Sequence, residues 1–504
     1  MMSFLPLPSR VLAIAVALCL LAVACTTESA QLVPPGSSTT TQPDQAAPTT
    51  ASPEDEPPAT TTPPSDDDAD PGTDPGDAPG EGDEPTEEET PEFEAEPPAP
   101  IPAEPEPEGL IAMLGNDGDV LIIEPTGTQV AELTDHDDRR NAQPTWSPDG
   151  EFVAWTERPT VNSPVPRIAI DTPDADRGAS IETPFPSFYN SWSPDAYRIA
   201  MLGPSGLGVE LAMVGVDDGA LSADEIAVDG GQPFFFDWID AGSAYTHAGP
   251  DVRTLTFGEA GPGGANASFS ESEQLGLGFG APDVLEDGTA IVVDESSGTP
   301  VLERRALDGS SSTPLANLTD RAFVVVDPTE TFIAVQVLGE LAAAPPTTVT
   351  AFRQPTDPEL PTMGGGVWVY ELSSGETFQV ADEERLGMFW DPSGTRLLML
   401  APDGDMARWQ VWAIDGSSRF TNLAQISPVI LQEYLPFYDQ FAKNVSFWSP
   451  DGSSFVYSAV ADDGFLTIFI HNASQNGVST EVAKGPVAVW SPPGGGGGGA
   501  GSRL

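Results

Sequence analysis

The chain has 504 residues, of which 78 are acidic and 19 basic, so its formal net charge is −59. A protein that neutralises nucleic-acid phosphates needs a basic surface, and an anionic membrane surface repels an acidic chain. We therefore expect neither as a partner. An apolar content of 39% is sufficient for a sizeable core. Only two cysteines occur, Cys19 and Cys25, so no disulfide framework is expected.

Residues 1–24 are predicted to be a lipoprotein signal peptide. Their apolar run, 11–23, is too short for a spanning helix and is typical of a signal peptide. It ends in small residues before a cysteine, an arrangement that resembles the lipobox of bacterial lipoproteins. The resemblance implies cleavage after Ala24 and a diacylglycerol anchor, with palmitate-type acyl chains, on Cys25. The alternatives are an ordinary cleaved signal peptide and an uncleaved anchor; all three place the rest of the chain outside the cytoplasm.

Residues 25–108 are predicted to form a disordered linker. Thr, Pro, Ser, Gly and acidic residues dominate this stretch, which has about 23 acidic residues, no Lys or Arg, and Phe93 as its single aromatic. Such a composition cannot bury enough apolar surface to offset the loss of chain entropy. Proline and like-charge repulsion both extend the chain, so we expect a spacer between a membrane anchor and a folded domain.

From residue 109 to 493 the chain repeats one motif. An apolar strand ends at Trp, a Ser-Pro-Asp-Gly turn follows, and further alternating strands complete a unit of four strands. The steps from Trp146 to Trp192 and from Trp192 to Trp238 are both 46 residues. We expect the motif tryptophans to pack between repeats. The structural motif residues are Trp146, Asp149, Trp192, Asp195, Trp390, Trp448, Asp451 and Trp490.

Repeats of this length and content predict an all-β fold, a single β-propeller. The motif resembles that of the TolB-type (WD-repeat-like) propeller family. The first strands after residue 109 lack the motif, whereas the last strand, at Trp490, has nothing after it. One blade is therefore expected to combine both ends of the chain and close a ring of eight four-stranded blades, or seven if a degenerate repeat fails. Residues 494–504 are predicted to be a flexible Gly-rich tail, and the protein to be a monomer.

The sequence offers little catalytic chemistry. It has no Gly-x-Ser-x-Gly nucleophile motif, and its three histidines, at 136, 247 and 471, lie in different repeats. We therefore expect no enzyme activity and no cofactor. Asp135, His136 and Asp137 are weak candidates for a metal site, because their spacing matches no ordered calcium loop. The alternative for these three residues is a solvated acidic loop.

Two insertions interrupt the repeats, at 339–366 and 420–444. The second contains four aromatic residues, Tyr434, Phe437, Tyr438 and Phe441. Such residues are favoured at interfaces, so they are candidates for partner binding. The alternative is a lid that packs over a neighbouring blade, with the aromatic side chains buried.

These observations favour a non-catalytic, lipid-anchored protein of the bacterial cell envelope. Its propeller would bind or scaffold an envelope protein, a peptide or a glycan, because a rigid scaffold presents loops for recognition. Two alternatives stay open. The chain could be a propeller subunit or relative of a peptidase or lyase system, or an accessory subunit of an envelope transporter.

Overall fold

The computed structural model describes residues 107–494, except for 136–138, 206–207, 223–227, 232–233, 250, 258–267, 271–272, 275–279 and 340–359. These residues form eight blades arranged in a ring, which confirms the predicted β-propeller and its larger blade number. The predictions for the signal peptide, for Cys25, for most of the linker and for the tail beyond Gly494 lie outside the described residues.

The blades are numbered from the one that combines both chain ends. Blade 1 consists of β34 (Val487–Trp490), β1 (Ile111–Leu114), β2 (Val120–Ile123) and β3 (Gln129–Glu132). Blade 2 consists of β4 (Arg140–Trp146), β5 (Val153–Arg158), β6 (Arg167–Asp171) and β7 (Ala179–Glu182). Blade 3 consists of β8 (Tyr189–Trp192), β9 (Arg198–Ser205), β10 (Gly208–Asp217), β11 (Ala220–Ser222) and β12 (Val228–Gly231). Blade 4 consists of β13 (Phe234–Asp240), β14 (Ser243–Ala248), β15 (Asp251–Thr256), β16 (Ser268–Phe269) and β17 (Glu273–Gln274).

The other four blades follow in chain order. Blade 5 consists of β18 (Asp283–Val284), β19 (Thr289–Asp294), β20 (Val301–Ala306), β21 (Ser312–Leu318) and β24 (Thr362–Met363). Blade 6 consists of β22 (Ala322–Val326), β23 (Phe332–Val337), β25 (Gly366–Glu371) and β26 (Thr377–Ala381). Blade 7 consists of β27 (Met388–Trp390), β28 (Arg396–Asp403), β29 (Met406–Ala413) and β30 (Ser418–Phe420). Blade 8 contains β31 (Ser454–Val460), β32 (Leu466–Asn472) and β33 (Thr480–Lys484).

In blades 1 to 7 the strand that ends at the repeated motif forms one edge of the sheet. The edge strands β34, β4 and β8 contact one another in sequence, and so do β13, β18, β22 and β27. These strands therefore surround the centre of the ring, and we call them the inner strands. The space that they enclose is the central channel of the propeller.

The motif tryptophans join neighbouring blades. The indole N–H of Trp192 donates to the carbonyl of Thr145 in blade 2, at 3.3 Å. Trp390 and Trp448 make the equivalent hydrogen bonds to Val325 and Phe389, each at 3.0 Å. In every case the acceptor is the residue just before the motif position of the preceding blade. The repeated tryptophan thus sets the spacing of the inner strands as well as filling the core.

The turn after each tryptophan is fixed by a side-chain hydrogen bond. The Ser147 hydroxyl donates to Asp149 at 2.6 Å and accepts from the amide of Phe152 at 2.9 Å. Ser193 with Asp195, and Ser449 with Asp451, form the same 2.6 Å bond in blades 3 and 8. Gly150 follows with a φ of +70°, a conformation that glycine adopts without steric cost.

The ring is closed by pairing between the two ends of the propeller, as predicted. Strand β1 runs antiparallel to β34, with Ile111 opposite Trp490 and Leu114 opposite Val487. The Trp146 indole donates to the carbonyl of Val489 at 3.3 Å and so links blade 2 to this composite blade. Opening the ring would break the pairing between β1 and β34. The hydrogen bonds and buried side chains of blade 1 therefore keep the ring closed.

The motif turns all lie on one side of the ring, which we call the lower face; the opposite side is the upper face. The chain enters the propeller at the lower face, where the carbonyl of Glu108 accepts a hydrogen bond from the Trp490 indole at 2.9 Å. It also leaves there, because β34 ends at Trp490. At the upper face, Val337 of β23 pairs with Gly366 of β25.

Candidate functional site

The inner strand of blade 8 is interrupted by the second insertion. Its upper half is the segment 425–427, where Ile426 pairs with Ala459 of β31. Its lower half is 445–448, where Trp448 pairs with Phe455 of the same strand. The residues between these halves, 428–444, leave the sheet and enter the central channel. We call this segment the plug.

The plug is a series of short helical turns: a π-helix at Ile430–Tyr434, a 3-10 helix at Leu435–Phe437 and an α-helix at Tyr438–Phe441. Helical turns suit the interior of a channel, because a buried backbone must satisfy its own hydrogen bonds. The amide of Ala442 donates to the carbonyl of Tyr438 at 2.7 Å, for example. The plug therefore brings few unpaired backbone groups into the core.

The four aromatic residues of the plug do not form a surface patch. Tyr434, Tyr438 and Phe441 are 1–3% exposed, and Phe437 is partly buried. Phe441 packs edge-on against Tyr189 with ring centroids 5.1 Å apart. The structure thus favours the buried alternative over the partner-binding interpretation, since side chains this enclosed cannot meet a partner without leaving the core. They fill the channel rather than covering one neighbouring blade.

Each aromatic side chain contacts a different part of the channel wall. The Tyr438 ring lies 5.5 Å from Phe323 in the inner strand of blade 6. The Phe437 ring lies 6.4 Å from Phe235 in the inner strand of blade 4 and 6.5 Å from Phe188 beside blade 3. Together these contacts reach around the ring, so the plug holds the inner strands to one another.

The side chain of Gln440 forms hydrogen bonds with the backbone of β13, the inner strand of blade 4. It takes the place of a neighbouring strand, which β13 lacks on the side that faces the channel. Its side-chain oxygen accepts from the amide of Phe236 at 3.0 Å, and its NH2 group donates to the Phe236 carbonyl at 2.8 Å. The same NH2 group donates to the Tyr189 hydroxyl at 2.8 Å. Gln440 is only 2% exposed, so these hydrogen bonds form in a dry setting, where an unmade bond is costly.

Lys443 is the single ammonium group inside the described part of the channel, and it is surrounded by acceptors. It lies 3.0 Å from Asp237 in blade 4, contacts Asp283 in blade 5 and donates to the Pro282 carbonyl at 2.7 Å. Burial alone would lower the pKa of the ammonium, but the two carboxylates raise it above its ordinary value. Burial also raises the pKa of Asp283 to about 6, although Lys443 opposes this effect.

Asp439 brings a second carboxyl group into the channel. One of its oxygens accepts from the amide of Ala281 at 2.7 Å. The other is buried without a hydrogen-bond partner among the described residues. Burial raises the pKa of Asp439 to about 6, the Ala281 N–H being the main opposing influence. The negative charge of Asp439 near neutral pH therefore destabilises the plug.

An ion pair fixes the plug at the upper face. Arg158, the last residue of β5, donates through its two terminal nitrogens to the two oxygens of Glu433, at 2.9 and 2.6 Å. This parallel arrangement is the preferred geometry for a guanidinium and a carboxylate. It joins blade 2 to the plug where the channel opens to solvent.

The sequence-predicted metal candidates are not brought together with other ligands in the described structure. Asp135 is exposed, whereas His136 and Asp137 lie outside the described residues. His247 and His471 are at most 1% exposed, in blades 4 and 8, and burial lowers the pKa of both. Among the residues described, no group of three or more His, Cys, Asp or Glu side chains could hold a metal ion.

Two crevices in the described part of the ring are small. One has a volume of about 10 Å³ and lies beside Gly280 and Val324, and another of about 20 Å³ lies near Asp149 and Asp195. Each has room for roughly one water molecule, whereas small-molecule sites occupy about 300–1,000 Å³. No helix of the described segments has the length and apolar character needed to cross a bilayer.

The geometry defines a class: a closed eight-bladed β-propeller with a plugged channel. No protein-family model matches the chain, and no curated protein matches it either. Among solved structures, it is similar to a eukaryotic initiation factor, at 10% identity and a TM-score of 0.47, over 76% of this chain and 98% of that one. It is also similar to the dihydro-heme d1 dehydrogenase NirN, at 11% identity and 0.46, over 78% and 77%.

TolB from Acinetobacter baumannii is a further structural neighbour, at 12% identity and a TM-score of 0.32, over 71% of this chain and 68% of that one. The strand pairing of the chain itself is what assigns the propeller fold.

Proposed function

We propose that this chain is a non-catalytic, extracytoplasmic lipoprotein whose propeller binds an envelope protein, peptide or glycan through its upper face. The observation that carries the proposal is the plug, because Gln440, Lys443 and the aromatic side chains occupy the channel in which a propeller would otherwise form a deep pocket. Because the plug fills the channel, a partner would have to bind to one of the two faces of the ring.

The upper face is the better candidate of the two. The tether and the C-terminal end both join the ring at the lower face, near Glu108 and Trp490. Loops on a rigid scaffold are common recognition elements, and the loop between β5 and β6, which carries the fully exposed Val161, lies on the upper side.

Photo-cross-linking in whole cells tests which face binds. A benzophenone amino acid replaces Val161, which is fully exposed at the upper face, or Val478, which is 79% exposed at the lower face. We expect a discrete cross-linked partner from position 161 and not from position 478. A partner captured only from position 478, or from neither position, would contradict upper-face binding.

The two cysteines give a matched test of the anchor. Cys25→Ser should abolish the incorporation of labelled palmitate and release the protein from the membrane fraction. Cys19→Ser should change neither, since Cys19 lies within the predicted signal peptide. Retention of label and membrane association in the Cys25→Ser variant would contradict the proposed lipidation site.

A further inference from the structure

Lys443 of the plug meets two carboxyl groups inside the channel, those of Asp237 in blade 4 and Asp283 in blade 5. Its Nζ lies 3.0 Å from Oδ2 of Asp237 and is in direct contact with Oδ1 of Asp283. The three side chains are only 9–17% exposed. An amine and a carboxyl group are therefore held against each other, largely away from bulk water, with a second carboxyl group beside them.

Backbone N–H groups hold both carboxyl groups in place. Oδ2 of Asp283 accepts from the amide of Val326 at 3.1 Å, so the backbone donor and the lysine contact different oxygens of this group. The two oxygens of Asp237 accept from the amides of Trp238 and Val284, at 3.0 and 2.8 Å. For Asp283, one oxygen is polarised by an N–H group while the other faces the amine, which is the arrangement that acyl transfer requires.

Burial acts against the charged forms of these groups. It raises the pKa of Asp283 to about 6, and it opposes the ammonium form of Lys443, although the two carboxylates raise the pKa of the lysine above its ordinary value. Transfer of one proton from Nζ to Asp237 removes two of the three charges of the cluster. Enclosed surroundings favour this transfer more than water does, because they solvate charge poorly.

We infer that Lys443 and Asp283 form an intramolecular amide (isopeptide) bond, with Asp237 as the acid–base catalyst. Asp237 takes one proton from Nζ, and the neutral amine attacks Cγ of Asp283, which is bonded to the oxygen that Nζ contacts. The Nζ–Cγ bond forms and the Cγ–Oδ1 bond breaks. Two of the ammonium protons leave with Oδ1 as water, one of them carried by Asp237, and the third stays on the amide nitrogen. The reaction needs no oxidant and no added co-reactant.

The product keeps the contacts that the site already makes. Its carbonyl oxygen is Oδ2 of Asp283, which still accepts from the amide of Val326. Its N–H donates to Asp237, which has returned to the carboxylate form. Each polar atom of the new bond thus has a hydrogen-bond partner, so the linkage adds no unpaired buried group.

The bond gives the propeller a covalent cross-link without a disulfide. Both cysteines, Cys19 and Cys25, precede the propeller in the chain. Lys443 and Asp283 are 160 positions apart, so their linkage ties the plug to blade 5 across a long loop. A cross-link of this kind stabilises a fold by restricting the unfolded chain. The pKa values of Lys443 and Asp283 given above are those of the unlinked state, from which the bond forms.

Peptide mapping of the full-length protein by mass spectrometry tests the bond. Trypsin does not cut after an acylated lysine, so we expect 254–304 to be joined to 420–484, uncut at Lys443. The joined species should be lighter than the two peptides together by the mass of one water molecule. Lys484 and Asp463 provide an internal control: they lie 2.7 Å apart but are exposed, and they should stay unlinked because water solvates their charges.

Three variants separate the reaction from the ion pair. Lys443→Arg keeps the positive charge but has no amine to acylate, so the joined peptide should disappear. Asp237→Asn still offers an oxygen to the Val284 amide but cannot take a proton from Nζ, and linkage after synthesis should slow about 100-fold or more. Asp439→Asn removes another buried carboxyl group of the plug and should leave linkage unchanged. Near-UV circular dichroism shows which variants are folded.

The wild-type digest alone can overturn the inference, because it does not depend on the folding of a variant. Recovery of 254–304 and 420–443 only as separate peptides would contradict the bond. Fragment ions that place the linkage on a carboxyl group other than that of Asp283 would contradict its assignment. Unchanged linkage in a folded Asp237→Asn protein would contradict the mechanism. None of these outcomes affects the proposal that a partner binds at the upper face.

Discussion

Nζ of Lys443 lies 3.0 Å from Oδ2 of Asp237, a residue 206 positions earlier in the chain. The ammonium also contacts Asp283, so one plug residue joins the inner strands of two blades. All three side chains are largely enclosed. The plug is therefore connected to the ring by a buried charge network as well as by apolar packing.

Removing this ammonium should be costly. Lys443→Met keeps most of the side-chain volume but leaves two carboxylates facing each other without a cation. Breaking one side of a buried ion pair typically costs about 3–5 kcal/mol. Urea denaturation should show a loss of this order in the free energy of unfolding.

The only other lysine of the chain provides the control. Lys484 forms an exposed pair with Asp463, and such pairs contribute little. Lys484→Met should leave the unfolding curve nearly unchanged. Similar losses in both variants would mean that the Lys443 network has no special role.

The buried carboxyl of Asp439 should make stability depend on pH. Its pKa in the folded state is about 6, above its usual value of 3.8, so the native state binds more protons than the unfolded state between these values. Stability should then fall as the pH rises from about 4 to about 6 and change little above that range. Asp439→Asn should reduce this slope, leaving the part that Asp283 contributes through its own raised pKa of about 6, and should raise stability at pH 8 by about 2 kcal/mol.

The geometry around Asp439 supports the choice of asparagine. Its amide oxygen can still accept from the Ala281 N–H, while the buried negative charge is lost. Thermal unfolding of both proteins from pH 4 to pH 8 measures the difference. A pH slope that is the same in the wild type and the Asn variant would show that another group titrates.

The motif turns predict that the Ser and Asp side chains of one turn can be exchanged with little loss of stability. In blade 7 the order is reversed: the hydroxyl of Ser393 donates to the carboxylate of Asp391 at 2.7 Å. In blade 8, Ser449 donates to Asp451. Ser449→Asp alone would oppose two carboxylates and should cost about 1–3 kcal/mol. Adding Asp451→Ser should recover most of that loss.

A double-mutant cycle in urea gives the coupling energy between the two positions. Asp451→Ser alone supplies the second single variant. A coupling energy near zero would mean that the two side chains act independently and that the blade 7 arrangement does not transfer to blade 8.

Much of the ring could be predicted from the sequence because each blade carries its own local signal. A tryptophan followed by a Pro-containing turn defines a strand end, and the spacing of Trp146 and Trp192 gives the length of a blade. The composite blade followed from a missing motif at one end and missing strands at the other. These patterns are local in the sequence, and each of them corresponds to a local feature of the folded blades.

The plug was visible as an insertion, but its location was not predicted. The composition of 428–444 suits a binding surface as well as a core, because both use aromatic residues with polar neighbours. Its burial depends on contacts with Phe236 and Asp283, far away in the chain. Two features of the sequence are consistent with burial: a lysine in a strongly acidic chain, and its position two residues after the last of four aromatic residues.

Hydrogen exchange of the plug tests the central claim most directly, namely that 428–444 closes the channel as part of the core. Peptide-resolved exchange compares Ile430–Phe441 with the inner strand Tyr189–Trp192 and with the outer strand Gln129–Glu132. We expect the plug to exchange as slowly as the inner strand, because burial and the Gln440 contacts tie its opening to that of the ring. Exchange of the plug within seconds, while the inner strand stays protected, would contradict a closed channel.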